Sequence, residues 1–198
     1  MKNCGLIILA AGSSSRLQQP KQLLPYNDTT LLQHSIDTAL STPVSSMMVV
    51  SGSPGSQVGI SAADRLETVT NAEWKQGMGS SISYGVSTFL ARHPNTESLI
   101  LMVCDQPFVS AALLSSLMET AIASHKEIVA CSYGHTIGTP VLFRKKYFRM
   151  LCALQGDEGA KKIVMQHMDD VASIPFPEGE IDIDTMHDYE KLLQKGRL

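Results

Sequence analysis

No apolar run in this 198-residue chain is long enough to span a bilayer, so no membrane-spanning segment is expected. No basic excess exists either. The net charge is -3, whereas a nucleic-acid binder needs cations to neutralise a phosphate backbone. The cysteines Cys4, Cys104, Cys131 and Cys152 form no C-x-x-C pair, which removes zinc and dithiol motifs. Three of them lie in or beside apolar runs, as buried thiols do in a reducing cytoplasm. The histidines do not pair at metal-ligand spacing. There is no G-x-S-x-G elbow for hydrolase chemistry. Neither the Walker pattern nor G-x-G-x-x-G occurs, so P-loop and dinucleotide-dependent oxidoreductase readings fall away.

Hydrophobic residues make up 43% of the chain and charged residues 18%, the balance of a globular protein. We see no repeat, low-complexity tract or linker, and expect one domain over residues 1–198. Gly5–Ala10 leads directly into a polar loop with Arg16, so it reads as an internal strand rather than a cleaved leader. Further apolar runs are Met47–Ser51, Leu99–Cys104 and Ile128–Cys131. Between them fall stripes of helical period: Leu32, Ile36, Ala39 and Leu40; Ile82, Val86, Phe89 and Leu90; and Leu113, Leu114, Leu117, Ala121 and Ile122. Apolar strands alternating with amphipathic helices predict an α/β fold, with a mostly parallel central sheet and helices on both faces. Later, "GTPVLF" (Gly138–Phe143) reads as a short strand, Lys145–Leu154 and Glu158–His167 as helices, and Val171–Ile174 as a strand. A final helix follows Thr185 as N-cap. Ligands of such folds gather at the carboxyl ends of the strands, so the residues that follow each strand carry the argument.

After the first strand comes "LAAGSSSRLQQPKQLL". Small residues let backbone N–H groups approach an anion, and Arg16 and Lys21 add charge-assisted bonds to phosphate. The other reading is a surface loop with two solvated cations. In "MVCDQPF", Asp105 directly follows a buried strand, as a ligand for a hard cation such as Mg²⁺ or as the cap of a turn shaped by Pro107. In "IDIDT", Asp182 and Asp184 point to one side of an extended segment, toward a cation or toward solvent. "NAEWKQGMGSSISYG" offers Asn71, with donor and acceptor groups suited to a nucleobase edge, and Ser80, which caps a helix or touches ligand. Trp74, the one tryptophan, is read as a packing residue. "QGDEGAKKIV" places Asp157 and Lys161 near a turn, as helix cap and solvated cation or as contacts to an anionic substrate.

Taken in order, "LAAGSSSRLQQPKQLL", "CDQP", "GTPVLF", "GDEGA" and "DIDTMHDY" resemble the molybdenum-cofactor nucleotidyltransferases of the MobA-like NTP transferase family, particularly the cytidylyltransferase branch. The resemblance spans nearly the whole chain. It implies a Rossmann-like nucleotidyltransferase fold, and transfer of CMP from CTP to molybdopterin phosphate with release of pyrophosphate. A client molybdoenzyme is an implied partner. The second alanine of "LAAG" favours CTP, since guanylyl-transferring relatives carry glycine there. On this reading Arg16, Lys21 and Asp105 are catalytic. Leu9, Ala10, Ala11, Gly12, Ser13, Ser14, Arg16, Lys21, Asn71 and Ser80 bind nucleotide. Asp105 and Asp184 hold Mg²⁺, and Gly138, Thr139, Pro140, Asp157 and Lys161 face the acceptor. Two positions depart from the family pattern: Gln18 replaces a frequent glycine, and Thr139 a frequent histidine. The alternatives are a nucleotidyltransferase for a sugar or alcohol phosphate and a non-catalytic molybdoenzyme maturation chaperone.

Overall fold

The computed structural model describes residues 3–195, apart from Ser13, Ser15, Gln18, residues 53–59, Ser61 and Ala62. The strands of the main sheet are β1 (Cys4–Ala10), β4 (Ser46–Ser51), β5 (Leu66–Thr70), β6 (Ser98–Val103), β7 (Ile128–Tyr133), β8 (Thr136–Arg144) and β9 (Val171–Pro175). A small hairpin pairs β2 (Pro25–Tyr26) with β3 (Thr29–Thr30). The helices are α1 (Leu31–Leu40), α2 (Met78–Arg92), α3 (Ala111–Ser124), α4 (Phe148–Cys152), α5 (Lys161–Gln166) and α6 (Met186–Lys195).

The sheet runs β5-β4-β1-β6-β8-β7-β9, and β8 alone is reversed. This is the mostly parallel α/β fold that the strand–helix alternation predicts. All seven residues of β1 are buried, because helices cover both faces. Their alternation divides the core. Leu6, Ile8 and Ala10 pack with α1 and α3; Ile7 and Leu9 pack with α2, α4 and α5.

The observed β8 is longer than the Gly138–Phe143 expected. Its pairing with β7 jumps from Ala130↔Val141 to Cys131↔Gly138. Thr139 and Pro140 thus fall in a bulge, where a residue without an N–H leaves no gap in the ladder. Pairing with β6 ends at Leu101↔Val141, so the β7–β8 hairpin continues past the end of β6. The helices expected after it are shorter than the sequence suggests. Lys145–Tyr147 is a 3-10 turn before α4, and α5 spans only Lys161–Gln166. The cap of α6 is as expected: Asp188 N donates to Thr185 Oγ1 at 3.2 Å, and Thr185 N donates back to Asp188 Oδ2 at 2.8 Å.

A third apolar cluster joins Leu17, Leu24 and Leu31 to Ile183, Tyr189 and Leu192. Tyr189 Oη donates to Pro25 O at 2.6 Å. This cluster fastens α6 beside the loop that follows β1, and so brings the 181–185 segment to the carboxyl edge of the sheet.

Candidate active site

The loop after β1 folds back on itself. Ser14 takes a positive φ of 48°. Its carbonyl accepts from Leu17 N at 3.0 Å, and its hydroxyl accepts from Lys21 N at 2.9 Å. Lys21 thereby enters a short 3-10 turn, Lys21–Leu23, with its side chain directed to the sheet edge. There Lys21 Nζ donates to Asp105 Oδ2 at 2.6 Å and to Asp184 Oδ1 at 2.8 Å. Asp105 follows β6. Asp184 is held beside it because Ile183, fully buried, donates its N–H to Asp105 O at 3.0 Å. Asp182 and Asp184 flank that anchor, so both carboxylates face outward, as the alternation of "IDIDT" predicts.

Lys21 is only 9% exposed. Burial alone would push its ammonium down, but Asp105 and Asp184 outweigh burial and hold its pKa above the ordinary lysine range. Lys21 is therefore a fixed cation at any physiological pH. Asp182 is moved the other way: partial desolvation, then the charges of Asp105 and Asp184, raise its carboxyl above the usual value. Cys104 adjoins Asp105 and is buried. Burial first and Asp105 second push its thiol up to about 12, which leaves it inert as a nucleophile.

These residues stand in a cleft of about 680 Å³. Leu9, Ala10, Ala11 and Gly12 line it, with Trp74, Gly77, Met78 and Ser81 from the start of α2. Its ionic lining is Lys21, Lys75, Asp105, Asp157, Asp182 and Asp184. Four carboxylates against two ammoniums would repel a triphosphate without a divalent cation. Among the described residues, no three His, Cys, Asp or Glu side chains form a ready-made metal cage. The donor set still fits a hard cation. Asp105 and Asp184 offer one oxygen each around a single cationic atom, and Mg²⁺ commonly takes one or two carboxylates and fills its remaining positions with water and phosphate.

A smaller chamber of about 170 Å³ adjoins the cleft, sharing Leu9, Met78 and Val103 with it. Gly138, Thr139 and Lys161 line the chamber, whereas Asp157 lines the cleft itself. Thr139 Oγ1 donates to Gln106 Oε1 at 3.0 Å, and Gln106 Nε2 donates to Gly179 O at 2.9 Å. Pro140 is buried in the bulge and lines neither space.

Three other residues singled out in the sequence stand apart from the cleft. Arg16 is exposed and not part of its lining. Asn71 is 3% exposed, and its amide is taken up internally: Nδ2 donates to Ser80 Oγ and Ser81 Oγ, both at 3.1 Å, and Oδ1 accepts from Glu73 N at 3.0 Å. Ser80 Oγ donates to Gly77 O at 2.9 Å. Both residues line a separate groove on the outer side of α2, and it is Ser81 that faces the cleft. Ser13 and Gln18 lie outside the described residues. Sequence reasoning missed Gln22, a cleft-lining residue whose buried Oε1 has no hydrogen-bond partner among the described residues. It also missed Gly77, the N-cap of α2, at φ 111°. A Cβ there would meet Asp157 Oδ1 and Gly156 O at 2.4 Å, so only glycine lets the two segments close.

The mostly parallel sheet carries this cleft at its carboxyl edge, where α/β folds bind ligands, and the family match makes it a nucleotidyltransferase fold. Residues 6–171 match the MobA-like NTP transferase domain, and the chain belongs to that family. Among solved structures it resembles Rv0371c from Mycobacterium tuberculosis at 34% identity, covering 97% of each chain, with a TM-score of 0.80. A manganese complex of that protein matches at 31% identity and TM-score 0.76, covering 98% of this chain and 99% of that one. Three relatives of similar length carry different names. The purine catabolism protein PucB of Bacillus subtilis is 27% identical, covering 93% of each chain. Nicotine blue oxidoreductase of Paenarthrobacter nicotinovorans is 29% identical, covering 94% of this chain and 95% of its own. The molybdenum cofactor cytidylyltransferase of Escherichia coli is 27% identical, covering 92% of each.

Proposed function

We propose that the protein transfers CMP from CTP to the phosphate of a molybdopterin-type acceptor and releases pyrophosphate. The observation that carries this reading is the convergence of Lys21, Asp105 and Asp184 at one end of a cleft bordered by Ala10–Gly12. Family membership and the cytidylyltransferase relative support it.

The acceptor's phosphate oxygen attacks the α-phosphorus in line. The new P–O bond forms as the bond to the β-phosphate breaks, and pyrophosphate carries away the electron pair. Such transfers depend on positioning and charge neutralisation more than on covalent catalysis. The backbone from Ala10 to Gly12 borders the triphosphate, and Ala11 narrows the base site toward a pyrimidine. Lys21 and Arg16 supply positive charge to the leaving pyrophosphate. Arg16 is exposed on its turn outside the cleft lining, so it would meet the phosphates only by extending toward them. Asn71 and Ser80 position the first turn of α2, and through it Ser81, rather than touching the base. Gly138, Thr139 and Lys161 receive the acceptor, with Asp157 at the boundary between cleft and chamber. Asp105 and Asp184 would hold Mg²⁺, which when bound neutralises phosphate charge and lowers the repulsion of the acidic cleft.

The test is incubation with CTP or GTP, Mg²⁺ and molybdenum cofactor, followed by identification of the product. The expected outcome is the cytosine dinucleotide form with stoichiometric pyrophosphate. Pyrophosphate release with a sugar phosphate instead, and none with the cofactor, refutes the acceptor. No release with any acceptor refutes the transferase reading.

A further inference from the structure

We infer that Trp74 is the platform on which the nucleobase stacks, and that it fixes the base end of the cleft. This inference rests on nucleotide binding in the cleft, but not on which acceptor is used. Trp74 opens a 3-10 turn, Trp74–Gln76, and its ring lies just past the end of β4. There the indole stands against Gly52. A Cβ added to Gly52 would stand 2.8 Å from Trp74 Cγ, 3.0 Å from Trp74 Cδ2 and 3.0 Å from Ala11 O. The ring is thus backed by the Gly52 backbone, and Trp74 is part of the cleft lining beside Ala10, Ala11 and Gly12. Lys75 Nζ lies 5.8 Å from the ring centroid, on an exposed and flexible side chain that an entering base can displace.

The order of strands separates the two ends of a nucleotide. Gly52 follows β4, Gly12 lies beyond β1, and Asp105 follows β6, in the sheet order β4-β1-β6. At about 4.8 Å per strand, the ends of β4 and β6 stand about 10 Å apart. A nucleoside monophosphate spans a gap of that kind. Its uncharged, flat end meets the uncharged, flat side chain, and its anionic end meets Lys21. The amide of Asn71, the other candidate for base contact, is taken up within its own turn. Stacking is tolerant of base identity, since every base has a π-face. Trp74 therefore supplies affinity, and the choice of pyrimidine falls to the narrow floor at Ala11.

Because Trp74 is the one tryptophan, the intact protein reports on itself. Intrinsic fluorescence is titrated with CTP and with inorganic triphosphate, while calorimetry follows binding of each. CTP is expected to quench the emission saturably, with the midpoint equal to the calorimetric Kd, and triphosphate to bind without that quench. Trp74→Leu is expected to weaken CTP binding about tenfold or more, by the usual worth of a base–aromatic stack. It should raise KM for CTP with kcat little changed, while Trp74→Phe restores most of the affinity. An unchanged emission at saturating CTP, or a Trp74→Leu variant that binds CTP as tightly as the parent, overturns the inference and leaves the proposed reaction standing. Absence of binding by any nucleoside triphosphate overturns both.

Discussion

Replacing Lys21 by Met tests the core of the site, because it removes a buried ammonium and leaves the carboxylates it joins. Lys21 makes two charge-assisted bonds, at 2.6 and 2.8 Å. Hydrogen bonds to charged groups are worth about 1.5–3 kcal/mol each. Asp184 keeps half its side-chain surface, 51%, in solvent, whereas Asp105 keeps 19%. The Asp184 bond is therefore discounted for screening, and the bond to Asp105 dominates. We expect the variant to lose about 2–4 kcal/mol of stability without divalent metal. The same deletion frees both carboxylates for a cation. Mn²⁺ affinity should then rise about tenfold or more, since each factor of ten needs only about 1.4 kcal/mol, and Mn²⁺ should restore much of the lost thermal stability. Turnover should still fall on the order of a hundredfold, because the charge that meets the leaving group is gone. Calorimetric titration with MnCl₂, thermal melts with and without it, and pyrophosphate release measure the three quantities. A variant that binds Mn²⁺ no better than the parent and melts identically with and without it would refute the claim that Lys21 and the cation seek the same two oxygens.

Asn71→Ala should cost about 2–3 kcal/mol, since three hydrogen bonds of about 1 kcal/mol each, one buried and two part-buried, are lost; denaturant unfolding would show it, and full stability would argue against Asn71 as the brace of α2. Asp182→Asn should raise stability near neutral pH. The folded-state pKa of Asp182 is raised, so ionisation costs the native state above that value and the cost is relieved on acidification. The gain of the variant over the parent in thermal melts should therefore be larger at pH 7 than at pH 4. Acid should weaken the protein through Glu67, Asp170 and Asp188. Burial works against Glu67, but Arg92 and His93 outweigh it; Lys146 and Tyr147 hold Asp170 down, and Thr185 holds Asp188 down. Depressed folded-state values favour the native state fully above the ordinary carboxyl range, and this stabilisation is lost as pH falls through them. Glu67→Gln should flatten the loss of stability below about pH 4, as unfolding followed across pH would reveal.

Much of the fold was legible because its signals are local. Strands covered on both faces read as unbroken apolar runs, and the stripes of α1, α2 and α3 keep the helical period. The edge strand β5 was not legible: "LETVT" is only half-buried and carries Glu67, which pairs with Arg92 and His93 across a long separation. The bulge at Thr139 and Pro140 likewise depends on β7, which no local pattern announces. In the cleft, Lys21, Asp105 and Asp184 could be singled out, but their distances follow from the burial of Ile183 and the cluster around Tyr189. Asn71 carries the same donor and acceptor whether it reads a base or braces a helix, so only its neighbours decide. Trp74 reads as a packing residue from sequence for a similar reason. Its partner, Gly52, is recognisable as a seat only once β4 and the Trp74 turn are brought together.

The single reversed strand has a consequence for how such a protein can change its clientele. Because β8 runs against β6, its beginning rather than its end arrives at the edge where Asp105 stands, and Gly138 and Thr139 arrive with it. Beyond Leu101↔Val141 the distal half of the β7–β8 hairpin no longer pairs with β6, and its remaining strand partner is β9, at Cys131↔Ile174 and Ser132↔Pro175. This stretch is thus a cassette: its tip can be exchanged or lengthened without disturbing the β4-β1-β6 half that carries the cleft floor and Asp105. A chimera bearing the hairpin tip of another family member would be expected to keep its nucleotide and acquire a new acceptor.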